Sequence, residues 1–155
     1  MDHVEYAYTG GMDDDEIERR LRSVDTGVLS LAKGDEAYAV PLAHHYDGEH
    51  LYFRLGKTDD STKWAWIDAT ERANYVVYGT EPAVDADEIE SWSVQITGTL
   101  RELSPEERER FDTAEINRDF APIRLFDEAV ADVDIAILEL AIDSITGRRT
   151  DDSTV

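Results

Sequence analysis

Between Trp92 and Leu100 the chain alternates without a break: Trp92, Val94, Ile96, Gly98 and Leu100 fall on one side, and Ser93, Gln95, Thr97 and Thr99 on the other. A period of two is the mark of a strand with one buried face. Near the N-terminus the interval differs, because Ile17, Leu21 and Val24 stand at i, i+4 and i+7 behind the acidic run Asp13 to Glu16. That spacing predicts an amphipathic helix with carboxylates at the positive end of its dipole. Residues 26 to 56 then switch to β-type composition, broken at Lys33-Gly34-Asp35 and again at Asp47-Gly48. Three successive antiparallel strands are predicted, with a type I′ turn at Asp47-Gly48.

A short helix starting at Ser61 or Thr62 follows, then a strand over 73–81 and a polar connector over 82–91. Ser104, Pro105 and Glu107 supply a cap, a first helical residue and the third-position acid of a capping box, so a helix starts there. Another helical piece is expected over Ile123 to Val130. The closing segment "VDIAILELAIDSITG" is so continuously apolar that it predicts a strand buried on both faces. Antiparallel strands with helices between them indicate an α+β arrangement or a barrel with helices packed outside. Pro41 lacks the N–H that a ladder needs, which puts its strand at an edge, at a bulge or beside something other than a strand.

Composition narrows the possibilities. A chain of 155 residues suits one domain, 1–155, with 1–12 and 148–155 expected as flexible tails. The absence of cysteine excludes disulfides, thiolate chemistry and zinc sites with sulfur ligands. No apolar run nears the ~18 residues that span a bilayer, and the start lacks the layout of a secretory signal, so a cytoplasmic protein is expected. Asp and Glu number 36 against 15 Lys and Arg, a net charge of -21 that repels nucleic acid and anionic lipid alike. Neither is expected as a partner. With 41% hydrophobic residues the chain nonetheless has the material for a packed core. So acidic a surface, with Lys nearly absent, looks like that of a salt-in halophilic archaeon, stable where salt screens self-repulsion.

Candidate chemistry is sparse. His44 and His45 point to opposite faces of a strand and cannot share a metal without a bulge. His44 shares a face with Tyr38, Val40, Leu42 and Tyr46, which makes a partly buried structural histidine its default role; His44 and Tyr46 are at most candidates for substrate contact. No serine sits in a nucleophile elbow. Arg54, Lys57 and Lys63 fall within ten residues, and Ser61 and Thr62 precede Lys63 where a helix should begin. Cations, hydroxyls and free N–H groups together suit a phosphate, although a solvated turn would account for the composition equally well.

In order and spacing, "AYAVPLAHHYDGEHLYFRLG", "STK" and "WSVQITGTLREL" resemble the pyridoxamine 5′-phosphate oxidase-like family of flavin-binding split barrels, over about residues 20 to 103. The resemblance implies a mainly β fold, a six-stranded antiparallel split barrel with flanking helices. It also implies a homodimer holding FMN in a groove at the subunit interface. Carried over by position, Val40, Pro41 and Leu42 would border the isoalloxazine ring, and Phe53 and Arg54 would approach the flavin and its phosphate tail. Ser61, Thr62 and Lys63 match the phosphate-gripping stretch, with Lys57 as a further cation, and Ser93 matches a flavin-contacting position. The tail "DSITGRRTDDSTV" lacks the substrate segment of true pyridoxamine-phosphate oxidases. The likeness is nearer to the nitroimidazole-reductase-like branch, with Arg54 where that branch often carries histidine. The implied activity is that of an FMN-dependent oxidoreductase on a small molecule, with NAD(P)H as a candidate donor and no catalytic acid or base named. Its rivals are a deazaflavin-dependent reductase and a flavin or heme carrier without turnover.

Overall fold

The computed structural model describes residues 9–57, 62–82, 89–111 and 134–150. Its elements are β1 (Thr9–Gly11), α1 (Asp14–Ser23), β2 (Thr26–Lys33), β3 (Glu36–Tyr46), β4 (His50–Lys57), α2 (Lys63–Ala69), β5 (Ala73–Pro82) and β6 (Ile89–Glu102). After these come α3 (Pro105–Arg108), a 3-10 turn (Glu109–Phe111) and β7 (Asp134–Thr150). The helix expected over 123–130 and most of the 82–91 connector lie outside the described residues.

Among the described residues only Gly34 and Gly48 have positive φ, and each sits where the chain reverses. Lys33 pairs with Glu36, so Gly34 and Asp35 form a two-residue turn; φ of 59° at Gly34 alone gives the sign pattern of type II′. The turn after β3 departs from the type I′ expectation. Type I′ needs positive φ at both central residues, and only Gly48 has it. Asp47 instead turns its carboxylate inward: Oδ1 accepts from the Glu49 and His50 N–H groups at 2.9 and 2.7 Å. The side chain takes over the role of a backbone acceptor, and the loop widens.

Every strand pairing is antiparallel, in the order β1-β7-β4-β3-β2-β5-β6, and β6 returns to pair with β7. That last pairing closes six strands, β2 to β7, into a barrel, as the resemblance implies. Short β1 is a seventh strand on β7, where Thr9, Gly10 and Gly11 pair with Thr150, Arg149 and Arg148. The expected flexible tails are therefore wrong at 9–11 and 148–150, because β7 runs for 17 residues and offers its free edge to the N-terminal segment. β7 can serve both β4 and β6 because it bulges at Asp143, between the pairs Gly98–Ile142 and Thr97–Ser144. Gly98 permits this closure, since a Cβ there would collide with the Ala141 carbonyl.

The interior follows the predicted alternation. Leu29 and Leu31, Leu51, Phe53 and Leu55, Tyr75 and Val77, Val94 and Ile96, and Leu138 and Leu140 all point inward. α1 plugs one end of the barrel with Ile17 and Leu21, capped at its start by Asp13, whose carboxylate accepts from the Glu16 N–H at 2.8 Å. α2 plugs the other with Ile67. Burial on both faces of β7 is found over Ala136, Ile137 and Leu138. Ile137 faces outward there and joins Tyr52, Leu103 and Phe111 in a second apolar cluster. The capping box at Ser104 and Glu107 forms as expected, but the helix it starts is only four residues long before the 3-10 turn.

On the opposite wall, outward-facing residues line up in rows across five strands. One row runs Ala39, Ser30, Asn74, Thr97, Ser144; the next runs Pro41, Val28, Val76, Gln95, Thr146. A third carries Tyr78, Ser93 and Arg148. None of these side chains is buried, and Tyr78 is 64% exposed. Among the described residues, no helix is long and apolar enough to cross a membrane.

Candidate functional site

The barrel is split between β3 and β4. The two strands pair only at His44–Phe53, His45–Tyr52 and Tyr46–Leu51. Beyond that zipper, residues 36–43 of β3 keep β2 on one side, residues 54–57 of β4 keep β7, and neither is paired with the other. Two edges that no described strand pairs thus face a common gap, the kind of border a flat polar ligand can satisfy. Pro41 lies on this edge, opposite Val28 and with no described strand on its other side, one of the placements its missing N–H allowed.

α2 crosses the lower mouth of the split. Trp64 Nε1 donates to the Gly56 carbonyl of β4 at 3.2 Å. The Trp66 ring lies 5.6 Å from that of Tyr38 on β3. Thr70 ties the far end to β2, its hydroxyl accepting from the Ala32 N–H at 3.0 Å. Lys63 is the first residue of α2 and Lys57 the last of β4. Lys33, at the end of β2, sets its ammonium 5.2 Å from the centroid of the Trp66 ring. All three lysines of the chain therefore gather around α2. Lys33 was not among the predicted site residues, although the scarcity that drew attention to Lys57 and Lys63 applies to it equally.

The other expected residues are placed unevenly. Val40 and Leu42 point into the barrel beside the gap, and Arg54 is half-buried on the β4 lip. Phe53 is fully buried, 4.8 Å from the Tyr75 ring, so only its main chain can border a ligand. Thr62 occupies the cap position of α2 in helical conformation, and its hydroxyl makes no capping bond. Ser61 lies outside the described residues. Ser93 is not brought to the split: it sits on β6 between Tyr78 and Arg148, with β2 and β5 separating it from β3.

His44 and Tyr46 leave the list of substrate contacts. His44 is 3% exposed, its Nδ1 sharing a 2.7 Å hydrogen bond with the Tyr75 hydroxyl and its Nε2 lying 3.4 Å from the Leu21 carbonyl. It is the structural histidine that its face predicted, joining α1, β3 and β5. Burial, with a smaller contribution from Asp25, pushes the Tyr75 phenol well above the usual range and keeps it neutral. Tyr46 lies in the paired part of β3, under the Arg22 guanidinium at 4.9 Å, and donates to the Gly48 carbonyl at 3.0 Å. Among the described residues, no cluster of His, Asp and Glu could hold a metal ion.

Similar folds are known. A FAD-binding protein from Mesorhizobium loti superposes with a TM-score of 0.71 at 20% identity, covering 92% of this chain and 99% of its own. A candidate 5-nitroimidazole antibiotic resistance protein from Bacteroides thetaiotaomicron gives 0.70 at 18% identity, covering 93% and 91%. A FAD and heme binding protein from Mycobacterium smegmatis gives 0.66 at 15% identity, covering 93% and 74%. At such identities the likeness establishes the split-barrel fold. No curated protein matches the chain. The family model described as pyridoxamine 5'-phosphate oxidase matches residues 13–149, nearly the whole barrel with its plugs, and the chain belongs to that family.

Proposed function

We propose that the protein binds a flavin, FMN, along the split between β3 and β4 and acts as a flavin-dependent oxidoreductase on a small molecule. The observation that carries this reading is the gap itself, with two strand edges that no described strand pairs and the chain positions of all three lysines of a strongly acidic protein at one mouth. A ligand that is flat at one end and phosphorylated at the other matches both features. Family membership and similar structures described as FAD-binding support a flavin in that place.

In this assignment the edge at Val40, Pro41 and Leu42 borders the ring, and the main chain at Phe53 closes the opposite lip. Arg54, Lys57, Ser61, Thr62 and Lys63 hold the phosphate end. A bound flavin supplies the hydride chemistry, with NAD(P)H as donor, while the protein orients the ring and tunes its surroundings. The competing reading is carriage of flavin or heme without turnover, which the FAD and heme binding neighbour favours.

The visible spectrum of purified protein, followed by NAD(P)H addition and then an electron acceptor, separates the two. Oxidised flavin that bleaches and recovers supports the oxidoreductase; inert flavin or a Soret band supports carriage; colourless protein that takes up no FMN sinks both. Lys63→Ala is expected to weaken FMN binding by roughly tenfold or more, the worth of a charge-assisted contact, and riboflavin binding little. Equal losses for the two ligands would remove the phosphate assignment.

A further inference from the structure

Two nitrogen donors near the mouth of the split are short of acceptors. Trp66 Nε1 is buried without a hydrogen-bond partner, and an unpaired buried N–H carries a cost that native folds normally avoid. Its neighbour Lys33 sets its ammonium 5.2 Å from the centroid of the same ring and enters no ion pair among the described residues. Asp35 and Glu36 follow it directly, so the ring is taken in preference to carboxylates two and three residues away. The third member is Tyr38, whose ring lies 5.6 Å from that of Trp66, tilted by 33°, and whose hydroxyl has no hydrogen-bond partner among the described residues. The helix that carries Trp66 is not slack: Trp64 pins it to β4 and Thr70 pins it to β2.

We infer that Lys33, Tyr38 and Trp66 form a subsite for the anionic group, carboxylate or phosphate, of a planar small molecule. An ammonium and an indole N–H are donors with no acceptor of their own, so the group that satisfies both must accept from both, and an anion does so most strongly. The two aromatic rings beside them add a surface for a flat body. Lys33 is exposed on a flexible four-carbon stem, so it can leave the ring face and close over an anion that reaches the indole N–H. A protein of net charge -21 repels anions over most of its surface, which makes so local a group of donors selective.

This subsite is separate from the phosphate grip assigned above. Arg54 and Lys57 belong to β4 and Lys63 starts α2, whereas Lys33 and Tyr38 stand on β2 and β3, the other lip of the split. In a step that rests on the proposed flavin reading, the anion held here belongs to the small molecule on which the flavin acts. The substrate is then a planar acid rather than a neutral compound.

Nitrogen-edited NMR of the isotope-labelled full chain tests the proposal, with Trp66→Phe identifying the Trp66 indole N–H resonance. Titration with benzoate and with phenyl phosphate at fixed KCl is expected to move that resonance and to leave in place that of Trp92, which lies under Arg20 of α1. Benzyl alcohol, flat but neutral, should move neither. A response to one anion alone names the carboxylate or the phosphate as the group held. Lys33→Gln, at an exposed position, should weaken binding of that anion by about tenfold or more. A Trp66 resonance unmoved by both anions, an equal response to benzyl alcohol, or undiminished affinity in Lys33→Gln would overturn the subsite. Displacement of the bound probe by FMN would do so too, since the flavin's own phosphate would then fill it. The flavin reading fails separately: protein that binds the anions and takes up no FMN loses that reading and keeps the subsite, and protein that takes up FMN with a silent Trp66 does the reverse.

Discussion

The barrel has two outer walls built of the same kind of strand, and they are finished in opposite ways. Over β4 and the first half of β7 the chain covers itself: Leu103 and Phe111 pack on Tyr52 and Ile137, and Arg110 lies over both rings at 5.1 and 4.7 Å. Its guanidinium donates to the Tyr52 hydroxyl at 2.6 Å, which in turn donates to Asp47 Oδ2 at 3.0 Å. Over β2, β5 and β6 no described segment covers the strands, yet acids are kept away. The covered wall buries its outward apolar residues under its own chain, whereas no described segment covers Val28, Val76 and Tyr78 on the bare wall. The difference is one of finish: one wall is completed by the chain's own apolar cover, whereas the other keeps acids off strands that no described segment covers.

The largest expected effect contrasts one aromatic from each wall. Phe111→Ala should cost about 3–5 kcal/mol, since it empties a buried ring position, while Tyr78→Ala should change the stability of the monomer by less than about 0.5 kcal/mol. Denaturant titrations at fixed KCl measure both. If Tyr78→Ala proved as damaging as Phe111→Ala, the bare wall would be covered after all.

Tyr52→Phe comes next, with a loss of about 1–3 kcal/mol, because it strips partners from Asp47 and Arg110 at once. The same clasp gives a pH signature. Burial, then the neighbouring Asp47, pushes the Tyr52 phenol up to about 12, so the folded state holds its proton where the unfolded chain releases it. That contribution is complete below pH 10 and is lost as pH rises from 10 through about 12. Tyr75 adds to it in the same direction. Melting temperatures between pH 9 and 12 should fall more gently in Tyr52→Phe than in the wild type.

The smallest effect concerns the cap that starts the covering segment. Ser104→Ala should cost about 1 kcal/mol, the usual worth of an N-cap. The Arg101 guanidinium, and after it the Ser104 N–H, hold the Glu107 carboxyl down at about 2 against an ordinary value of 4.5. Its stabilisation is present above pH 4.5 and disappears as pH falls from there toward 2. Glu107→Gln should flatten acid unfolding in that window, and an unchanged acid limb would show that the bridge to Arg101 contributes nothing.

Much of this could be read along the chain because the signals are local. The alternation from Trp92 to Leu100, the spacing of Ile17 and Leu21, the cap at Ser104 and the burial of His44 all depend on neighbours a few residues away, and all hold. The type I′ turn failed for an equally local reason that spacing does not reveal: a carboxylate can replace a backbone partner. The candidate site was legible only in part. Lysine scarcity pointed to Lys57 and Lys63, but Lys33 joins them through Trp66, 33 residues later, and Ser93 proved to be on another wall.

By itself the sequence determined most of the element types, the two turn glycines, the exclusion of Pro41 from a fully paired strand, the excess of negative charge and the family. Tertiary structure alone decided where β3 and β4 part, how β7 bulges to close the ring, and that thirteen scattered residues without a carboxylate, Arg148 the one charged among them, fall into rows on one surface. The reason is register. Strand alternation is set within a strand, but which residues of different strands lie side by side is fixed by pairings across the sheet, and a shift of one residue would turn every one of them to the other face.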